Sequence, residues 1–415
     1  MIANTTPSGS DTPQTVVFTA CSANYLNKAL AMCLSVRQHS PGIDTVVLLV
    51  DRKREVKLAN PDVKLLWAED LGFPGLLQCA FKYNIIELNT ALKPFVARCL
   101  LIDYDKVIYL DPDVCVFAPL DGVVQALDDS AAVFTPHALS PYEGEGRPTD
   151  QDLLRFGAYN LGFFGVANRP QAHVLLDWWH RRCLALCFYE PLDGLGVDQK
   201  WMDLAPSFFD SVGILRDPGL NVAFWNLHER KLSCEGLHWQ VNGASPLVFI
   251  HFSSFVEADP AAVADKQTRY QSGSRPDFAA AGAVYRGLLH AAKGLATLET
   301  GYGFSSFDNG RVIPPLLRRM YVLRLADEFT ACADPFAASG PVFAFARRHG
   351  LLSSASASTQ HQNFKVASAF RKEQRLISML FRLMLRVLGP DRYFVLMRYL
   401  GHYASTLNQT DLLGK

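Results

Sequence analysis

The chain has 415 residues, with 40 basic (Lys, Arg) and 40 acidic (Asp, Glu) side chains, so its formal net charge is zero. A neutral chain lacks the basic surface that bulk nucleic-acid binding needs to displace counterions, and any anionic partner must meet a local cluster of charge. The length allows a large core and more than one domain, and no stretch approaches the run of about 18 apolar residues that marks a membrane span.

Residues 1–14, MIANTTPSGSDTPQ, read as a polar, disordered lead with no secretory pattern. TVVFTA (15–20) reads as a buried strand. Tyr25 to Gln38 carries Leu26, Leu30 and Leu34 at helical spacing and stops at Pro41-Gly42. DTVVLLV (44–50) and VKLLW (63–67) read as strands, Thr90 to Leu101 as a helix, and KVIYL (106–110) and AAVFTP (131–136) as further strands. SPYEGEGRPTDQD (140–152) is a polar loop, a solvated connection or a lid on the acceptor side. NLGFFGV (160–166) reads as a strand and Gln171 to Cys187 as a helix. Strands alternating with helices predict an α/β fold: a mostly parallel sheet covered by helices on both faces. From about residue 259 the pattern turns helical, with a Ser-rich linker near 353–359, so the expected division is a domain over 15–270 and a mainly helical region over 271–415. The nine cysteines have no framework spacing and read as reduced thiols, as in a cytoplasmic protein.

Within VIYLDPDVCVF (107–117), Asp111 and Asp113 interrupt an otherwise apolar run just after a strand. An unpaired buried carboxylate is costly, so these two need a partner. Two carboxylates at a strand end can share a hard divalent cation. They can also sit in a solvated turn.

The surrounding string YDKVIYLDPDVCVFAPLDGV (104–123) resembles the metal-binding segment of GT-A glycosyltransferases, most closely glycosyltransferase family 8 and its bacterial relatives. Further stretches agree in order. TACSANYL (19–26) is similar to the segment that meets the uridine of the donor, with Ala20, Asn24 and Tyr25 matching and Cys21 or Ser22 where the family has an acid. ALKPFVARCLL (91–101) offers Lys93 and Arg98 for a basic residue that reaches the donor. YNLGFFGV (159–166) resembles the Asn-x-Gly strand beside the donor sugar, through Asn160 and Gly162. VDQKWM (197–202) resembles the Asp-Gln segment near the reacting sugar, through Asp198 and Gln199. FIHFSSF (249–255) places His251 where the family has its third metal ligand, after Asp111 and Asp113. The family's later Lys-Pro-Trp is absent, which leaves Lys266 or Arg269 to meet the diphosphate.

The resemblance implies a GT-A domain that binds Mn²⁺ or Mg²⁺ and a nucleotide sugar, most often a UDP-sugar. It implies sugar transfer to an acceptor hydroxyl with retention of configuration, as in cell-surface polysaccharide or glycolipid synthesis. Trp225, Asn226 and His228 are candidates for a sugar pocket, with core packing the other reading of Trp225. Residues 364–399 set eight Lys/Arg among Leu, Met and Phe, as in a helix lying on an anionic membrane surface or packed on a partner. A protein-modifying transferase and a non-catalytic nucleotide-sugar-binding scaffold are the alternatives. Nucleotidyl transfer is disfavoured, because no glycine-rich phosphate loop follows the first strand.

Overall fold

The computed structural model describes residues 15–59, 63–299, 301–324, 328–329, 331–352 and 371–409. The lead over 1–14 and the Ser-rich linker fall outside the described residues. The chain forms two compact units: one of residues 1–73, 89–191 and 195–302, and one of residues 74–88, 192–194 and 303–415.

In the first unit the elements in chain order are β1 (Thr15–Cys21), α1 (Leu26–His39), β2 (Asp44–Leu49), β3 (Lys64–Trp67), α2 (Lys93–Leu100), β4 (Lys106–Leu110) and β5 (Val114–Val116). Then come β6 (Ala132–Pro136), β7 (Tyr159–Ala167), α3 (Pro170–Leu186), β8 (Val212–Ile214), β9 (Phe249–His251) and α4 (Pro276–Ala292). Seven strands build the main sheet in the order β8-β6-β7-β4-β1-β2-β3. Every pairing is parallel except those of β7, which runs against both β4 and β6. The expected α/β class, a mixed and mostly parallel sheet with C-terminal helices beyond it, is therefore borne out.

Alternation along the strands explains why both faces are covered. Val17, Ile108 and Phe163 join a buried cluster that includes Leu30 of α1 and Tyr285 of α4. Their neighbours Phe18, Tyr109 and Phe164 point the other way and stack in contact with one another, and Phe164 meets Trp179 of α3 at 5.1 Å. The unit continues past residue 270 because α4 lays Phe278, Ala281, Tyr285 and Leu289 into the same buried cluster as α1.

The sheet order places the site. Parallel β1, β2 and β4 end at one edge, where ligands bind in open α/β sheets. Antiparallel β7 begins at that edge, with Phe163 opposite Leu110. The segments after β1, after β4 and at the start of β7 therefore converge.

In the second unit Phe81, Phe304, Phe307, Tyr321 and Phe336 form an aromatic core. Arg318 donates to the carbonyls of Ala80, Phe81 and Tyr83 and so caps the end of helix Leu76–Lys82. A long helical segment, Arg371–Ala404, breaks at Gly389 (φ 74°) before Pro390. No helix among the described residues is long and apolar enough to cross a membrane.

Candidate active site

Asp111 and Asp113 flank Pro112 directly after β4. The Asp111 N–H donates to Gly162 O at 2.8 Å, which ties this turn to β7. The chain then enters β5, which pairs antiparallel with β9 so that His251 stands opposite Val114. That pairing brings the imidazole to the carboxylates across 138 residues of sequence, counted from Asp113 to His251. His251 Nε2 lies 3.0 Å from Asp113 Oδ1 and 3.6 Å from Asp111 Oδ2. One ligand atom from each of the three residues falls within 4.8 Å of the others.

The orientation of His251 is set from behind. Asn160 Oδ1 accepts from the Gly162 N–H at 3.1 Å and from Asn221 Nδ2 at 3.1 Å, so this atom is the amide oxygen. It lies 3.2 Å from His251 Nδ1, and the proton therefore sits on Nδ1. That leaves Nε2 as the nitrogen turned to the carboxylates, the atom that becomes the ligand when a cation displaces its proton. Gly162 is needed for the same reason: a Cβ there would sit 2.3 Å from His251 Cε1. The space a Cβ would take at Gly162 is filled by the imidazole ring.

Two carboxylates and an imidazole suit a divalent cation with open positions, and the donor set here fits such an ion. Burial pushes the His251 imidazole down, but the charge and hydrogen bond of Asp113, with the charge of Asp111, together hold the ring above its ordinary value. Burial likewise opposes the Asp113 carboxylate, and His251, with a further pull from Lys28, holds it below the ordinary range.

Of the two basic residues in 91–101, Lys93 reaches the site. Its buried ammonium donates to Leu161 O at 2.9 Å, sits 3.4 Å from Asp111 Oδ1 and 3.1 Å from Asp198 Oδ2, and lies 4.3 Å from the centre of the Tyr109 ring. Burial works against its charge, and the two carboxylates more than restore it. Asp198 is buried as well, which raises its carboxyl to about 6 in spite of Lys93. Arg98 instead pairs with Asp177 at 2.6 Å on the half-exposed side of α2. The five-residue spacing put the two cations on different faces.

Gln199 lies beside these groups, but its amide is occupied at both ends. Oε1 accepts from the Leu161 N–H at 3.1 Å, and Nε2 donates to Phe156 O at 2.9 Å. It braces the start of β7. Val197, just before Asp198, has φ 50°, a left-handed conformation that a β-branched residue rarely adopts. Strain of this kind clusters at functional sites.

Ala20 is buried at the end of β1, and Asn24 and Tyr25 are exposed at the ligand edge. An acid does lie close to Ser22 in space. Asp51, buried at the end of β2, accepts from the Ala23 N–H at 3.3 Å and pairs with Arg54 at 3.0 Å. Its mark in the sequence is a carboxylate closing an apolar strand, as at Asp111. Sequence reasoning also missed Tyr109, whose hydroxyl donates to Asp111 Oδ1 at 2.6 Å, and His137. Burial lowers His137 to about 4, and its Nε2 lies 3.2 Å from Asn160 Nδ2.

Arg269 fastens the 140–152 loop: its Nε donates to Pro148 O and its Nη1 to Glu143 O. Lys266 is exposed. Asn226 is tied within the chain around it. Its amide bonds the Ala223 N–H and the carbonyls of Asn221 and His137, all inside the fold. Trp225 packs edge-on against His251 at 5.1 Å, and His228 against Tyr142 at 4.4 Å.

No family model matches the chain. It is 23% identical over 301 residues to the uncharacterized protein YfnF of Bacillus subtilis, covering 71% of this chain and 98% of that one. Among solved structures, galactosyltransferase LgtC in complex with donor and acceptor sugar analogs aligns over 67% of this chain and 96% of its own, at 17% identity and a TM-score of 0.39. The apo form of glycosyltransferase GlyE from Streptococcus pneumoniae TIGR4 covers 69% of this chain and 65% of its own, at 15% identity and a TM-score of 0.39.

Proposed function

We propose that this chain is a divalent-cation-dependent glycosyltransferase that moves a sugar from a nucleotide diphosphate sugar, most simply a UDP-sugar, to an acceptor hydroxyl. The observation that carries the reading is the Asp111–Asp113–His251 cluster at the ligand edge of a mostly parallel sheet, with the Lys93–Asp198 pair beside it. A cation such as Mn²⁺ or Mg²⁺ held there would supply Lewis-acid neutralisation of the departing diphosphate.

The chain's own residues set up that chemistry. Asn160 and Gly162 fix the His251 ring, and the Lys93 ammonium balances Asp111 and the buried Asp198. Asp198 is the negative group next to the cluster that would stabilise positive charge developing on the sugar. Gln199 and Asn160 act as positioning residues around it. Retention of configuration and a role in cell-surface polysaccharide or glycolipid synthesis follow from the family 8 resemblance.

Contact with a membrane surface on the cytoplasmic side is part of the same reading. In the helical segment Arg371–Ala404, Arg375, Arg382 and Arg386 fall on one stripe at spacings of seven and four. All three are exposed, as are Leu376, Met379, Leu383 and Val387. An exposed helix of that composition fits an anionic lipid surface.

The test is turnover. Purified protein is incubated with a panel of nucleotide sugars, with and without Mn²⁺, and nucleoside diphosphate release is followed. Release from one donor only when Mn²⁺ is present supports the reading. Binding of a nucleotide sugar with no turnover on any acceptor supports the scaffold instead.

A further inference from the structure

We propose that Lys28, on the first turn of α1, is the cation that binds the diphosphate of the donor, a role no motif in the chain assigns to it. The proposal rests on the glycosyl-transfer reading above.

The geometry comes from two ties between α1 and the chain beyond Asp113. The Val116 N–H donates to Ser35 Oγ at 3.0 Å, and the Leu120 N–H donates to Ser40 Oγ at 3.0 Å. The two segments therefore run alongside each other in the same direction. Lys28 precedes Ser35 by seven residues, which returns it to the same face of the helix about 10 Å nearer the ligand edge. Asp113 precedes Val116 by three residues of extended chain, about 10 Å nearer the same edge. Lys28 thus stands level with Asp113, at the mouth of the cluster.

Its ammonium is placed for a ligand. It is only partly buried and lies 4.5 Å from the centre of the Tyr25 ring. Among the described residues it has no hydrogen bond and no ion pair. Of the other cations considered for this role, Lys93 is held between Asp111 and Asp198, Arg98 pairs with Asp177 and Arg269 donates to loop carbonyls, while Lys266 is exposed on the segment after His251. A lysine beside a metal-binding carboxylate, with a flexible stem and no fixed partner, matches a phosphate oxygen bound to the same cation.

The experiment is calorimetric titration of UDP, GDP, ADP and the matching nucleosides into wild type, Lys28→Gln and Lys28→Arg, each saturated with Mn²⁺. The expected result is a loss of at least tenfold in nucleoside diphosphate affinity for Lys28→Gln. Nucleoside and Mn²⁺ affinities should stay unchanged, and Lys28→Arg should recover most of the loss. Equal diphosphate affinity in wild type and Lys28→Gln overturns the role of Lys28 and leaves the transfer reading standing. An equal loss for nucleoside and diphosphate also overturns it. Failure of the wild type to bind any of the diphosphates overturns both.

Discussion

Asn160 Oδ1 stands 3.2 Å from His251 Nδ1, and with that contact the far nitrogen of the ring is turned onto Asp111 and Asp113. An amide that touches no ligand atom thus decides whether a histidine can bind metal. Outer partners of this kind are worth about 10- to 100-fold in metal affinity. Asn160→Ala should weaken Mn²⁺ binding by that factor, measured by titration followed through the free-ion EPR signal.

Gly162→Ala should be more damaging than its size implies. The new methyl would overlap the His251 ring and approach Asn160 Oδ1 at 2.8 Å. Overpacking a tight site costs about 1–3 kcal/mol. Urea denaturation should show a destabilisation in that range, and Mn²⁺ affinity should fall with it because the ring must move.

Asp198 predicts a pH signature. Burial raises its carboxyl to about 6 in the fold, against about 3.9 in an unfolded chain. A raised carboxyl pKa means that the native state holds the proton longer. Its favourable contribution is complete below pH ~4 and is lost as pH rises through ~6, amounting to about 3 kcal/mol. Asp198→Asn removes the titration. The stability of the variant relative to wild type should therefore increase between pH 4 and pH 7, read from paired urea curves. A flat difference across that window contradicts the burial argument.

The arginine stripe on the C-terminal helix gives a separable prediction. Each basic residue near an anionic surface contributes about 1 kcal/mol. The triple change of Arg375, Arg382 and Arg386 to Gln should reduce binding to phosphatidylglycerol vesicles by roughly 100-fold. Turnover on soluble donor and acceptor should stay unaltered. Wild-type binding to anionic and neutral vesicles alike would contradict it.

Much of this site was legible in the sequence because charge stood where it should not. Asp111 and Asp113 break an apolar run, and His251 closes another, so each called for a partner. The strand alternation behind the sheet was legible for a similar reason, since Val17 and Phe18 are both apolar and need cover on both sides. What stayed hidden depended on pairing across long separations. Nothing local distinguishes Lys93 from Arg98; α2 turns one toward Asp198 and the other toward Asp177. Arg269 carried the right charge but faces the carbonyls of a loop some 120 residues earlier. That Gly162 must lack a side chain became clear only once β9 set the His251 ring against it. Asp51 became a neighbour of Ala23 only because β1 and β2 lie side by side and end together.

The most direct measurement is calorimetric titration of Mn²⁺ into wild type and into Asp113→Asn, with circular dichroism to show that both are folded. One Mn²⁺ should bind per wild-type chain, and the variant, its fold retained, should bind it at least 100-fold more weakly. Wild type that takes up no Mn²⁺, or a folded Asp113→Asn that binds it equally well, would contradict the metal site on which the proposed chemistry stands.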